Sequence, residues 1–370
     1  MKFIIKTKDI NDAVSSTSKI IKNHTPIEIL RNILISADKN GIIKLRATDL
    51  QTTIEKTIDA EVEQSGEATV DGKLLASWLA NIKYEAITIH MEGTDLILQA
   101  GRATIAFPTL PADQFPPIQE NDIAENIKLN ARALKAAVLA TSFAASTEEA
   151  RGATLMGTLI KSGKDGTTLV CTDGYRLALQ TNNEKQDVET QSIIPTGALI
   201  EVARNVGDAD LVEATILGQN KNQIKIMSGR TTIYVRLVDG NYPNYQQVLP
   251  KSMNRTVTLK TTELLDALKR TVLVSSDRSS MIIMSVKKDE ISINANSTNT
   301  GRANESVEAE VVGEDLEICL NARYFTDILN HINSVNTILE FSGPLIAVII
   351  RPAKTTPETD QKYVLMPLRK

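Results

Sequence analysis

Apolar positions along the chain fall into the same phrase three times. An aliphatic residue opens it, an apolar residue follows five places on, and Ala plus an aliphatic follow three beyond that. The phrase reads Ile5, Ile10, Ala13-Val14, then Leu129, Leu134, Ala137-Val138, then Leu259, Leu264, Ala267-Leu268. The openings stand 124 and 130 residues apart. The i, i+3, i+4 spacing within each phrase marks one face of a helix. Strand-like runs end at Leu45, Leu169 and Ile293, again 124 apart. A second helical phrase starts from Val70, Ile194 and Leu320, each four residues before Leu74-Leu75, Ala198-Leu199 and Tyr324-Phe325. Trp78-Leu79, Val202-Ala203 and Ile328-Leu329 follow four later. Solenoid repeats have periods of ~20–50 residues, so each copy here is a domain and not a solenoid unit.

Within a copy the predicted order is strand, helix, strands, helix, strands. In copy one the strands fall at 3–5, 29–37, 42–47, 52–62, 86–91, 95–99 and 104–107, with turns at Glu92-Gly93 and Gly101-Arg102. Thr7 is placed to cap the first helix, whose stripe runs to Ile20-Ile21; Asn130 and Thr261 hold the same position in the other copies. Asp71 precedes the second helix. The Gly-Arg turn recurs at Gly229-Arg230, and both lead to Leu-x4-aromatic-Pro, at Leu110…Phe115-Pro116 and Leu237…Tyr242-Pro243. Copy three instead runs through 345–351, a polar loop 352–361 and a last strand 363–366. Boundaries fall near 116–125 and 250–255, giving domains 1–120, 126–250 and 255–370 on short, rigid linkers.

The fold class is α+β: three similar domains, each with two amphipathic helices over roughly eight short strands. The two chain ends leave a sheet edge each. A second chain added head to tail closes both, making a dimeric ring of pseudo-six-fold symmetry.

Composition sharpens this. Aromatics are only 4% of 370 residues, so the cores are aliphatic. The net charge of −4 argues against a generic basic nucleic-acid binder, unless charge is segregated. Cys171 and Cys319 lie in strand-like phrases and read as buried reduced thiols. No apolar run suits a signal peptide or a membrane span, so the expected compartment is the cytoplasm and no membrane partner is expected. The search for chemistry finds no enzyme. His24, His90 and His331 stand apart, no Cys/His spacing suits zinc, and no Gly-rich phosphate loop is present. Residues 207–210 read as a turn and Glu148-Glu149 as an exposed acidic loop. No cofactor or metal is expected. The stretch 172–177 (TDGYRL) reads either as a strand end with an Asp-Gly turn or as a recognition loop, and the bland reading is supported by Thr48-Asp49-Leu50 in copy one. The end 363–369 is unusually apolar for a terminus, which suits either a core strand or a contact groove.

Together these phrases resemble the bacterial DNA polymerase III beta subunits, the sliding clamps. The resemblance spans the chain through Met1-Lys-Phe3, TLPADQFP (109–116), TDGYRLA (172–178), LVDGNYPNY (237–245) and MPLR (366–369). It implies a non-catalytic processivity factor. The helices line the hole of a head-to-tail homodimeric ring around duplex DNA, and the sheets form the outer wall. The implied partners are the replicative polymerase subunit, a clamp loader and other proteins with clamp-binding motifs. The six helical segments carry about +4, leaving about −8 elsewhere, the sign that weak sequence-independent phosphate contacts need. The DNA-facing residues implied are Lys19, Lys22, His24, Arg132, Lys135, Lys269 and Arg270.

The resemblance also implies a pocket for partner peptides between the second and third domains. Its wall would be Leu155, Thr172, Gly174, Tyr175, Arg176, Leu177, Pro243, Gln247, Val248, Val364, Met366, Pro367 and Leu368, with Arg369 at the rim. Arg176 is expected to meet backbone or acidic groups of the peptide. Tyr175 and Gln247 stand where relatives commonly have His and Arg. At the ring contact, Ile105 and Phe107 are expected against Leu273 and Val274, with Arg102 and Glu305 in interface ion pairs. Two other readings are a multidomain interaction scaffold that never meets DNA, and a hydrolase. The missing catalytic constellation counts against the hydrolase.

Overall fold

The computed structural model describes all residues except 119–122, 208–210, 218–221, 251, 276–279, 355–358 and 370. The described residues form six helices: α1 Thr7–Thr17, α2 Gly72–Leu79, α3 Ala131–Thr141, α4 Thr196–Asn205, α5 Thr261–Val272 and α6 Ala322–Asn330. They fall two to a copy, where the repeat places them. The buried face of α1 is Thr7, Ile10, Ala13, Val14 and Thr17; that of α5 is Thr261, Leu264, Ala267, Leu268 and Thr271. Asp71 caps α2 by accepting from the Lys73 and Leu74 amides, and Asn321 caps α6 through the Tyr324 amide.

Thr7 and Thr261 are not caps. Lys6 and Lys260 hold the N-cap positions without a side-chain bond, and both threonines are buried in the first turn. The incoming strand runs straight into the helix, which turns the threonine inward; Thr261 Oγ1 donates to the Ser334 carbonyl at 2.8 Å. A different threonine recurs at the other end. Thr17, Thr141 and Thr271 are fully buried and donate to the carbonyl four residues back, at 2.7, 2.7 and 2.8 Å. The hydroxyl thereby satisfies itself within the helix it ends.

The chain forms two compact units, Met1–Arg132 with Gly197–Leu237, and Ala133–Thr196 with Val238–Lys370. The first holds two antiparallel sheets. The smaller runs Glu61–Gln64, Lys2–Lys6, Ala86–Glu92, Asp95–Ala100, Ala103–Pro108. The larger runs Ile123–Asn130, Leu211–Leu217, Gln223–Ser228, Thr231–Arg236, Thr52–Asp59, Ile42–Thr48, Asn32–Ala37, Gly66–Asp71. The expected strand 52–62 is broken after Asp59, where the Ala60 amide turns to the Gly41 carbonyl, and its two parts join different sheets. The expected strand 29–37 opens with a 3-10 turn, Glu28–Arg31.

The second unit has a nine-stranded sheet in the order Thr190–Pro195, Gly157–Gly163, Gly166–Thr172, Arg176–Asn182, Thr359–Leu365, Val348–Pro352, Asn336–Phe341, Arg255–Lys260, Glu310–Val312. A smaller sheet runs Gly301–Glu308, Glu290–Ser297, Met281–Lys287, Leu316–Asn321. Each large sheet is fused from two copies. In the first unit Ile233 lies opposite Ile54; in the second Leu177 lies opposite Val364.

The cores are aliphatic with a few aromatics. Phe3, Ile10, Ile33, Leu75 and Ile87 are buried in one, and Leu264, Ile293, Phe325 and Phe341 in the other. Both cysteines are buried free thiols. Among the described residues there is no acidic, His or Cys cluster able to hold a metal, and no helix long and apolar enough to cross a membrane. Of the turn at 207–210, residues 208–210 lie outside the described set.

Candidate functional site

The strand pair Arg176–Asn182 and Thr359–Leu365 builds the candidate pocket. Two acceptors tie the turn before Arg176. Thr172 Oγ1 donates to the Arg176 carbonyl at 2.6 Å and accepts from the Gly174 amide at 3.1 Å. Asp173 Oδ1 accepts from the amides of Tyr175 (2.9 Å) and Arg176 (3.0 Å). Gly174 sits at φ 88°, in the left-handed region that glycine adopts without cost. The Met366 amide donates to the Tyr175 carbonyl at 2.9 Å and the Leu368 amide to the Cys319 carbonyl at 2.8 Å, so the apolar terminus is docked.

Under this turn Leu177 and Val364 pack with Leu159, Val170, Tyr242 and Ala347. The Tyr242 hydroxyl donates to the Val170 carbonyl at 3.2 Å, and burial pushes its pKa far up, so it stays protonated. Above them the apolar side chains of Tyr175 (46%), Val248 (42%) and Met366 (37%) are left exposed. Large apolar groups held open by ordered backbone are the raw material of a peptide site. A Cβ on Gly240 would lie 3.2 Å from Thr154 Cγ2, which sets the loop before Pro243 beside the neighbourhood of half-buried Leu155. Pro243, Gln247 and Arg369 are exposed, and Pro367 and Leu368 half-buried.

Arg176 differs from expectation. Its Nη1 pairs with Asp327 Oδ2 at 2.6 Å, its Nε with Asp173 Oδ2 at 3.2 Å, and its Nη2 donates to the Phe143 carbonyl at 3.0 Å. The guanidinium lies over the rings of Tyr324 (4.6 Å) and Phe143 (5.3 Å), and only 10% of the side chain is exposed. Three of its five N–H donors are committed inside the chain, so it braces the turn. Tyr175 is likewise held. Tyr324 stacks at 6.1 Å, and the Arg151 guanidinium lies 4.5 Å from its centroid while donating to the Asp173 carbonyl at 2.9 Å. Sequence reasoning missed Phe143, Arg151, Asp173, Tyr324, Asp327 and Ala347. Of these, Asp173 carried a signal as part of the Asp-Gly turn, and Tyr324 as half of the Tyr324-Phe325 pair.

Of the residues expected to face DNA, Lys19, His24, Arg132 and Lys269 are exposed. Lys22 is exposed and pairs with Asp49 at 3.3 Å, and Lys135 is half-buried. Arg270 is engaged: its Nε and Nη2 grip Glu305 at 2.8 and 2.6 Å. That bond holds the Glu305 carboxyl below its ordinary pKa. Glu305 is therefore already paired within its own chain. At the other edge Phe107 does not point outward. It lies opposite Leu96 and is 6% exposed in its own core, and half-buried Ile105 shares that face. Alternation along Ala103–Pro108 gives the outer face to Thr104 and Ala106, with Arg102 exposed just before the strand. Leu273 is 77% exposed, and Val274 packs partly on the core.

Three family models match in tandem: the N-terminal, central and C-terminal domains of the DNA polymerase III beta subunit, over residues 1–119, 128–244 and 246–369. The chain belongs to the DNA polymerase III beta subunit family, the non-catalytic sliding clamps. The beta sliding clamp of Synechococcus elongatus is 28% identical over 376 residues, covering 100% of this chain and 99% of the relative. The crystal structure of DNA polymerase III subunit beta from Pseudomonas aeruginosa matches with a TM-score of 0.93 at 27% identity, over 100% of both chains. A sliding clamp from the same organism bound to griselimycin matches at 0.93 and 26%, again over 100% of both. The clamp fold and the processivity role expected above are those of this family.

Proposed function

We propose that two copies of this chain close head to tail into a ring around duplex DNA, and that the ring tethers its partners through peptides seated at the Leu177–Val364 strand pair. The observation that carries the ring is the fusion rule of the sheets. The last strand of copy two, Thr231–Arg236, pairs with Thr52–Asp59 of copy one. The last strand of copy three, Thr359–Leu365, pairs with Arg176–Asn182 of copy two, the counterpart of Thr52–Asp59. By the same rule the last strand of copy one, Ala103–Pro108, requires the counterpart in copy three, Gly301–Glu308. Both are edge strands among the described residues. An unpaired edge of this kind is a template for a second chain. Carrying over the register in which Thr231, Ile233 and Val235 face Lys56, Ile54 and Thr52 sets Ala103, Ile105 and Phe107 opposite Glu305, Ala303 and Gly301 of the second copy. Leu273 supplies exposed apolar surface for that contact, and Arg102 and Val274 flank it.

Lys19, Lys22, His24, Arg132, Lys135 and Lys269 then face the duplex, with Arg270 half-neutralised by Glu305. Such contacts are sequence-independent and few, so topology retains the ring while it slides. The partners are a replicative polymerase subunit, a clamp loader and other proteins with clamp-binding peptides. The folding domains are 1–120, 126–250 and 255–370, and the site of action is the cytoplasm, where bacterial DNA lies. The test is retention on nicked circular DNA. The protein is expected to stay on the circle through gel filtration and to be lost when the circle is cut; equal retention on both would favour the interaction scaffold.

A further inference from the structure

The turn that builds the partner pocket is built a second time in the other compact unit. Thr48 Oγ1 donates to the Thr52 carbonyl at 3.1 Å and accepts from the Leu50 amide at 3.1 Å, as Thr172 does around Gly174. Asp49 Oδ1 accepts from the amides of Gln51 (3.1 Å) and Thr52 (2.8 Å), as Asp173 does. The Arg236 amide donates to the Gln51 carbonyl at 2.8 Å, as Met366 does to Tyr175. Thr53 faces Tyr234 across the junction as Leu177 faces Val364. A cavity of about 420 Å³ opens at this place, lined by Thr48, Leu50, Gln51, Thr53, Tyr234 and Arg236, with Pro116 in the place of Pro243.

The backbone is the same, but the chemistry is inverted. Leu177, Val364 and Met366 become Thr53, Tyr234 and Arg236. The Arg236 side chain is exposed and makes no ion pair among the described residues. The nearest acid in the turn is Asp49, whose Oδ2 is held by Lys22 at 3.3 Å and whose Oδ1 is spent on the turn. Leu50 adds a second sign of use. It sits at φ 73° where its counterpart is glycine, and its side chain is 55% exposed. A non-glycine residue in the left-handed region is strained, and such strain concentrates at ligand sites.

We infer that this cavity is a second peptide site, selective for an extended segment that carries a carboxylate to Arg236 and an apolar side chain to Leu50 and Pro116. The inference rests on the reading of the Leu177–Val364 pocket as a peptide site, since the shared turn is what suggests a peptide. The uncommitted guanidinium is what makes the occupant acidic.

The experiment pans a random heptapeptide library displayed on phage against the full chain. Enriched sequences are remade with fluorescein and titrated by anisotropy against the wild type, Arg236→Glu and Met366→Ala. A class rich in acidic residues is expected to lose affinity about ten- to hundredfold in Arg236→Glu, the loss of one charge-assisted bond. The same class should bind Met366→Ala unchanged. Leu50→Gly should weaken it too while leaving thermal stability unchanged or raised. Enriched peptides that all ignore Arg236→Glu overturn the second site. Absence of a class sensitive to Met366→Ala counts against the first pocket alone.

Discussion

Arg176 and Asp327 meet at 2.6 Å although 151 residues separate them in the chain. The same guanidinium holds Asp173 and the Phe143 carbonyl, so one side chain joins the pocket turn, the 3-10 turn Ser142–Ala144 and helix α6. The pocket is thus shaped before a peptide arrives, which lowers the ordering cost of binding.

Removing that brace should unfold more than it unbinds. Arg176→Ala strands Asp173, a residue only 7% exposed, beside an emptied site. Breaking a buried pair from one side costs about 2–4 kcal/mol. Asp327→Asn touches a side chain 49% exposed and should cost less than about 1 kcal/mol. Urea denaturation of both variants gives the order; equal and small losses would show that Arg176 is dispensable.

Met366→Ala isolates binding from stability. Met366 is 37% exposed, whereas Leu177 is 3% exposed and belongs to the core. Pairing Leu177→Ala with Met366→Ala is expected to abolish polymerase-peptide binding, but Leu177→Ala alone also costs about 2–5 kcal/mol of stability. The single Met366→Ala change should weaken such peptides about tenfold, the contact of one or two methylene-sized groups, with an unchanged melting curve. Calorimetric titration beside a thermal melt separates the two effects.

Helices and cores were legible in the chain because i, i+3, i+4 spacing is a local property. The six helices stand where Ile10, Leu75, Leu134, Leu199, Leu264 and Phe325 place them. Sheet fusion was not, because Ile54 and Ile233 carry no mark of their partnership. The pocket positions Leu177, Val364 and Met366 came through the motif. The role of Arg176 did not, since two of its three partners lie 33 and 151 residues away. That Phe107 packs into its own core was not read from the sequence, because its inward face is set by Leu96 across the strand pair.

Cys171 should be inert in the folded protein. Burial pushes its thiol up to about 11, against the smaller opposing effect of hydrogen bonds from Thr158, Thr141 and Thr196. The thiolate is the reactive form, so almost none is present at pH 8. Iodoacetamide at that pH is expected to leave Cys171 unmodified in the native state and to alkylate it in urea, read by mass spectrometry.

Leu273 should govern the ring without governing the fold. It is 77% exposed, so Leu273→Ala removes little from the chain's own core. Across the proposed edge pairing it would lose a buried leucine, about 2–3 kcal/mol on each of two symmetric contacts. Together with Val274→Ala, light scattering should report monomers at concentrations where the wild type is dimeric, with a thermal melt lowered only by the Val274 contribution. A persistent dimer would argue for a different edge.

The pair between Arg270 and Glu305 makes two basic neighbours on α5 unequal. Lys269 is exposed and makes no ion pair among the described residues, whereas Arg270 already grips a carboxylate at two points. Each phosphate contact contributes about 0.9 to the slope of log affinity against log salt. Lys269→Ala should therefore flatten that slope by up to about 0.9, and Arg270→Ala by less. Glu305→Gln should free Arg270 and steepen it, provided light scattering shows the ring intact. Acid should act in the same direction. Arg270 holds the Glu305 pKa below its ordinary value, so the pairing is complete above the ordinary carboxylate range and is lost only as pH falls through the lowered value. The Glu305 carboxyl followed by NMR should titrate below the other exposed glutamates, and return to their range in Arg270→Ala. Identical titration in both proteins would mean that the two-point contact does not persist in solution.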